Sequence, residues 1–157
     1  MIVYRIEREK YIETTLLGIG ASLSKGFRWN SFNTRLVYTA ESRALATLEV
    51  AVHLDLSEDL PNDRCYLEID IPDNIPILEV QINDLPLNWD AKPPIIITQS
   101  IGDDFAYENE AAVLKVPSSI VPEEYNYLIN PNHVDAGKIR IIKTYNMQFD
   151  SRFKLKP

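Results

Sequence analysis

Residues 65–71, CYLEIDI, alternate without a break: Cys65, Leu67, Ile69 and Ile71 on one side, Tyr66, Glu68 and Asp70 on the other. That period of two fits a strand with one buried face and no other regular element. Pro72 closes the run. Similar short runs stand at 2–7 (IVYRIE), 36–39 (LVYT), 77–82 (ILEVQI, with Leu78, Val80 and Ile82 on one face), 112–116 (AVLKV) and 138–145 (KIRIIKTY). Pro72, Pro76, Pro86 and Pro117 sit at the ends of such runs, where a missing N–H is tolerated.

One helix is clear, over residues 39–56. Leu45, Leu48, Val52 and Leu56 follow a helical period, Thr39 is placed to cap the start, and Glu41 falls in the first turn. A second is expected after Pro93 and Pro94, over about 95–107, with Gly102 weakening its latter half. Strands with few helices, not strictly alternating, point to an α+β fold: mixed or antiparallel sheet with a few flanking helices.

The 157 residues suit a single domain, 1–157, without repeats or low-complexity linkers. The net charge of −7 speaks against direct nucleic acid binding, which needs a cationic face. It leaves room for a local cationic pocket. Cys65 is the only cysteine, so no internal disulfide forms and no zinc-ligand spacing exists. No run approaches the ~20 apolar residues of a membrane span. The opening MIVYRIEREKYIE lacks the apolar core of a signal peptide. The expectation is a reduced, cytoplasmic protein with no membrane partner and no metal.

Some residues stand out chemically. Glu49 lies about 40° from Leu45 on the helical wheel, at the edge of the apolar stripe. Such a carboxylate is either solvated or held beside a cavity. Arg28 is set among Phe27, Trp29 and Phe32, after Gly26. It either stacks on a ring or forks onto a phosphate or carboxylate. Tyr38 ends a strand just before the Glu49 helix, as a core, rim or site residue. Residues 116–133 (VPSSIVPEEYNYLINPNH) read as an ordered, turn-rich segment. Ser118 and Ser119 lack the GxSxG elbow of a hydrolase nucleophile. Asn126 and Asn130 suit turn caps or polar ligand contacts. His53 and His133 show no metal-ligand spacing and read as structural or surface residues. There is no P-loop and no GxGxxG, and GIGAS at 18–22 is too short a glycine signal for a nucleotide fold.

Taken in order, YRI (4–6), RWN (28–30), VYTAES (37–42), ALATLEVAVHL (44–54), QSIGD (99–103), VPSSIVPEEYNYLINPNH (116–133) and FDSR (149–152) resemble the RES domain family. These are the toxins of bacterial toxin–antitoxin pairs. The resemblance spans nearly the whole chain. It implies a fold similar to ADP-ribosyltransferase toxins, and NAD+ as substrate. It also implies an Xre-like antitoxin as partner, with room for a homodimer inside the toxin–antitoxin complex. Matched by motif, it assigns Arg28, Tyr38 and Glu49 as catalytic. Ser118 (or Ser119, one register on) and Asn130 would line the NAD+ cleft with Arg28 and Tyr38, and Arg5 joins them. Phe27 departs from the pattern, which has a second glycine before the arginine. An arginine fork suits a pyrophosphate, an aromatic face suits the cationic nicotinamide ring, and a carboxylate suits an oxocarbenium-like ribose. The implied activity is growth-arresting depletion of NAD+ through hydrolysis or phosphorolysis of the nicotinamide–ribose bond. The alternatives are ADP-ribosylation of a protein, or a non-enzymatic module that only binds its antitoxin.

Overall fold

The computed structural model describes residues 1–54 and 60–154. The chain runs β1 (Ile2–Arg8), a 3-10 stretch (Glu9–Leu17), α1 (Ile19–Leu23), β2 (Val37–Ala40), α2 (Arg43–Ala51), β3 (Arg64–Asp70), β4 (Ile77–Glu79), α3 (Ile96–Glu108), β5 (Val113–Pro117), β6 (Tyr125–Ile129) and β7 (Arg140–Met147). Seven strands form one mixed sheet in the order β4-β5-β6-β2-β1-β3-β7. Only β4 and β5 pair in parallel; the other described pairs are antiparallel. This is the expected α+β architecture. No helix among the described residues is long and apolar enough to cross a membrane.

The alternation of β3 is what places it. Cys65, Leu67 and Ile69 are buried with Val3, Val37, Tyr127 and Ile129, and the 3-10 stretch adds Ile12 and Leu16 to this side. Full burial of one such aliphatic side chain contributes about 2 kcal/mol. The opposite face carries both long helices. Under α2 lie Ile6, Ala40, Leu45, Ala46 and Met147. Beside α3 lie Trp29, Leu36, Phe105, Leu114, Val116 and Leu128.

Several local expectations change. The α2 helix starts later than residue 39, because Thr39 belongs to β2 and donates its hydroxyl to Tyr127 O at 2.7 Å. Ser42 is the cap, accepting from Leu45 N at 3.0 Å. Glu41 therefore precedes the helix and accepts instead from Tyr125 N. Val52, expected on the buried stripe, is exposed just past the helix end, and Leu56 lies outside the described residues. The strand expected over 77–82 ends at Glu79, and a 3-10 turn (Ile82–Asp84) leaves Ile82 exposed. Residues 125–129, read within a turn-rich segment, are a strand at the centre of the sheet. Both faces of β6 are covered, so Asn126, Tyr127, Leu128 and Ile129 are all buried and no polar–apolar alternation marks them. Glu9–Leu17 was not foreseen as an element at all.

Candidate active site

Three segments lie on the helix-bearing face of the sheet: the 26–31 loop, the last turn of α2, and the start of β6 with the turn before it. The loop is fastened to α3. Gly26 has φ 112°, a conformation few other residues adopt, and a Cβ there would lie 2.5 Å from Gln99 Nε2. Gln99 Nε2 donates to Phe27 O at 3.1 Å. Asp103 accepts from Ser31 N at 2.9 Å and from Ser31 Oγ at 2.5 Å. Between these ties, a Cβ on Gly102 would stand 1.6 Å from the Trp29 carbonyl oxygen. Gly102 therefore does not weaken α3. It lets the helix lie directly on the loop backbone, and α3 runs unbroken to Glu108.

Asn30 and Tyr38 lock the loop to β2. Tyr38 OH donates to Asn30 Oδ1 at 2.6 Å and accepts from Trp29 N at 3.2 Å. Asn30 Nδ2 donates in turn to Ala21 O and Ser31 O, each at 3.0 Å. Burial pushes the Tyr38 phenol well above its usual range, despite the Trp29 N–H, so it stays neutral. With its hydroxyl occupied, Tyr38 can offer a ligand only its ring.

Arg28 is half-buried beside Trp89, 5.9 Å from that ring. Its Nη1 donates to Trp89 O at 2.7 Å and Ala91 O at 3.1 Å. Its Nη2 and Nε have no hydrogen-bond partner among the described residues. One side of the fork is thus anchored and the other is open to an anion. Burial draws the guanidinium below its usual value, with Asp90 and Glu49 opposing that.

Glu49 is half-buried on α2. Burial raises its carboxyl above the ordinary range, while Asn126, Arg28 and Ser118 favour its charged form. Ser118 Oγ accepts from Ile120 N and Val121 N, both at 3.1 Å. Of the two adjacent serines, Ser118 is the one that acts on the Glu49 carboxyl. A cleft of about 320 Å³ opens on the side of Ser118 and Trp89, lined also by Ile82, Asp90, Ser119 and Tyr125; Arg28, Tyr38 and Glu49 are not in its lining.

Two of the residues named from the sequence lie apart. Period-two geometry puts Tyr4 and Ile6 on the α2 face, so Arg5 projects to the other face. There it donates to Glu7, Thr15 and the Tyr38 carbonyl. Arg5 is on the far side of the sheet from the Tyr38 ring. Asn130 lies just past the far end of β6, roughly 13 Å along the strand from Asn126. It is fully buried; Nδ2 donates to Ala106 O and Asn109 Oδ1, and Oδ1 accepts from Asn132 N. It ties β6 to the end of α3. Asn126, by contrast, is buried at the near end of β6, where Nδ2 donates to Thr39 O at 3.3 Å and the side chain favours the charged form of Glu49. His133 Nδ1 accepts from Asp135 N, a structural role. His53 is exposed and edges the Phe27 ring. Among the described residues no group of three or more His, Cys, Asp or Glu is placed to hold a metal.

The raised Glu49 carboxyl has a consequence for stability. A carboxyl with a higher folded than unfolded pKa stabilises the fold only while protonated, and that contribution is lost as pH rises through the folded value. Glu49→Gln should therefore melt above the wild type at pH 7. The gap should close as pH falls below the ordinary glutamate value, about 4.3. Melting curves at pH 7 and pH 4 check this, and a wild type more stable than Glu49→Gln at pH 7 would contradict it.

A sequence model described as the RES domain matches residues 2–150. A protein named Prs ADP-ribosylating toxin, from Sphingobium sp. (strain YBL2), is 42% identical over 145 residues, covering 90% of this chain and 88% of that protein. A protein named Toxin Res, from Photorhabdus laumondii subsp. laumondii, is 42% identical over 154 residues, covering 97% and 96%. Another Toxin Res, from Yersinia enterocolitica, is 35% identical over 156 residues, covering 98% and 100%. Among solved structures, a chain in the crystal structure of the M. tuberculosis MbcT–MbcA toxin–antitoxin complex shares the fold. The TM-score is 0.74, over 93% of this chain and 83% of that one, at 15% identity.

Proposed function

The chain belongs to the RES domain family, and on that premise we propose that it is the toxin of a toxin–antitoxin pair, an enzyme that breaks the nicotinamide–ribose bond of NAD+. The observation that carries this reading is an Arg28 fork anchored on one side and open on the other, electrostatically coupled to the half-buried carboxylate of Glu49. The open side of the Arg28 fork suits the pyrophosphate. The ring of Tyr38 suits the pyridinium. Glu49 opposes the positive charge that builds on the ribose as the C1′–N bond breaks and its electron pair leaves with neutral nicotinamide. Ser118 and Asn126 hold the carboxylate in place. Since neutral nicotinamide departs readily, no acid group is required, which fits a site where Tyr38 is spent on Asn30.

Water or phosphate then takes the ribose, giving net loss of NAD+. A second reading, transfer to a protein, draws support from the relative named for ADP-ribosylating Prs. The partner is an antitoxin, as in the complex that shares the fold. We take it to be Xre-like and to supply the DNA binding that a chain of net charge −7 is ill suited to provide. Induced expression in a bacterium should arrest growth with the wild type and not with Glu49→Ala at equal protein level. Equal growth of both cultures would remove the toxin reading.

A further inference from the structure

Phe27 has its backbone and its side chain on different elements. Its carbonyl is tied to Gln99 on α3, just after the positive-φ turn at Gly26. Its side chain crosses to β2 and the end of α2. The ring centroid lies 5.4 Å from Tyr38, tilted by 58°, and 6.1 Å from His53, edge-on at 68°. Phe27 stays half-buried, and His53 is exposed. His53 follows Glu49 by four residues, about one turn. Phe27 therefore bridges Tyr38 and His53, with the Tyr38 hydroxyl turned away into the loop. A ring sandwiched between Phe27 and Tyr38 would need them about 7 Å apart, more than the 5.4 Å observed, so a planar ligand would have to lie against the outside of the pair.

We infer that Phe27 is a specificity-determining residue that contacts the substrate: with Tyr38 it selects a planar cationic ring, the oxidised pyridinium, over the neutral reduced ring. Aromatic faces carry negative potential and attract a cation, not a neutral ring of the same shape. This rests on the NAD+ reading of the same site. It also assigns the contact to ground-state affinity, because the charge leaves the ring as the bond breaks. Release of neutral nicotinamide is eased by the same loss.

The test is calorimetric titration of NAD+ and NADH into Glu49→Gln protein, where turnover does not interfere, with Phe27 intact, Phe27→Leu or Phe27→Tyr. In Phe27→Leu the Kd for NAD+ should rise about five- to thirty-fold, the range of one cation–π contact. The Kd for NADH should move less than about twofold on the same basis. Phe27→Tyr, which keeps a ring, should restore the preference and serves if Phe27→Leu does not fold. Equal changes for both nucleotides, no change, or tighter NAD+ binding in Phe27→Leu would overturn the assignment. Failure of the Phe27-intact protein to bind either nucleotide would instead sink the NAD+ reading, and this inference with it.

Discussion

Glu49→Gln protein should bind NAD+ within about threefold of the wild type and release nicotinamide about 10³-fold more slowly. Glutamine keeps the volume and can still meet Asn126 and Ser118, so the cleft stays formed. What it lacks is the negative charge beside the ribose, felt mainly when the C1′–N bond is breaking. Half-burial amplifies that charge, since little water screens it. Parallel kcat and affinity measurements separate the two effects. A Glu49→Gln enzyme with wild-type kcat would remove Glu49 from the chemistry. A large loss of affinity with kcat preserved would reassign it to binding.

Gly102→Ala should be the most damaging glycine-to-alanine change in the chain. The new Cβ would meet the Trp29 carbonyl oxygen at 1.6 Å and the Trp29 carbonyl carbon at 2.7 Å. Neither is the flexible tip of a side chain, so either α3 or the 26–31 loop must move. The expected cost is about 3 kcal/mol or more, against a total stability of about 5–15 kcal/mol for a domain. Movement of the loop would also carry Arg28 and the Asn30–Tyr38 lock out of place. The loss of activity should therefore exceed what the fraction unfolded explains. Thermal melting and kcat/KM at a temperature where the variant is folded would measure both. Unchanged melting and activity would mean that the helix and loop do not pack as closely as described. Gly20 is the control: a Cβ there meets nothing within 4 Å.

The sequence displayed some of this plainly. The alternation of 65–71 and the stripe through Leu45 reflect one-sided burial, which leaves a periodic trace. The position of Glu49 at the stripe's edge was visible for the same reason. The β6 strand left no trace, because burial on both faces removes the period. The start of α2 was misplaced because Thr39 and Ser42 are both good caps, and only the pairing of β2 with β6 decides between them. Gly102 reads as a helix weakness until Trp29 is seen lying against it. Arg5 and Asn130 matched a motif by residue type, yet their donors and acceptors are spent on Glu7, Thr15, Ala106 and Asn109. Residue type alone cannot separate a side chain that holds the sheet together from one that meets a ligand.

The most direct test of the account is nicotinamide release from NAD+ by purified, antitoxin-free protein, in buffers with and without phosphate, beside Arg28→Ala. Release by the wild type that Arg28→Ala reduces about 10²-fold in kcat/KM, as expected for a lost charge-assisted anion grip, is the predicted result. Faster release with phosphate would identify phosphorolysis, and equal rates hydrolysis. Folded wild-type protein that frees no nicotinamide in either buffer would contradict the claim that this site destroys NAD+ unaided.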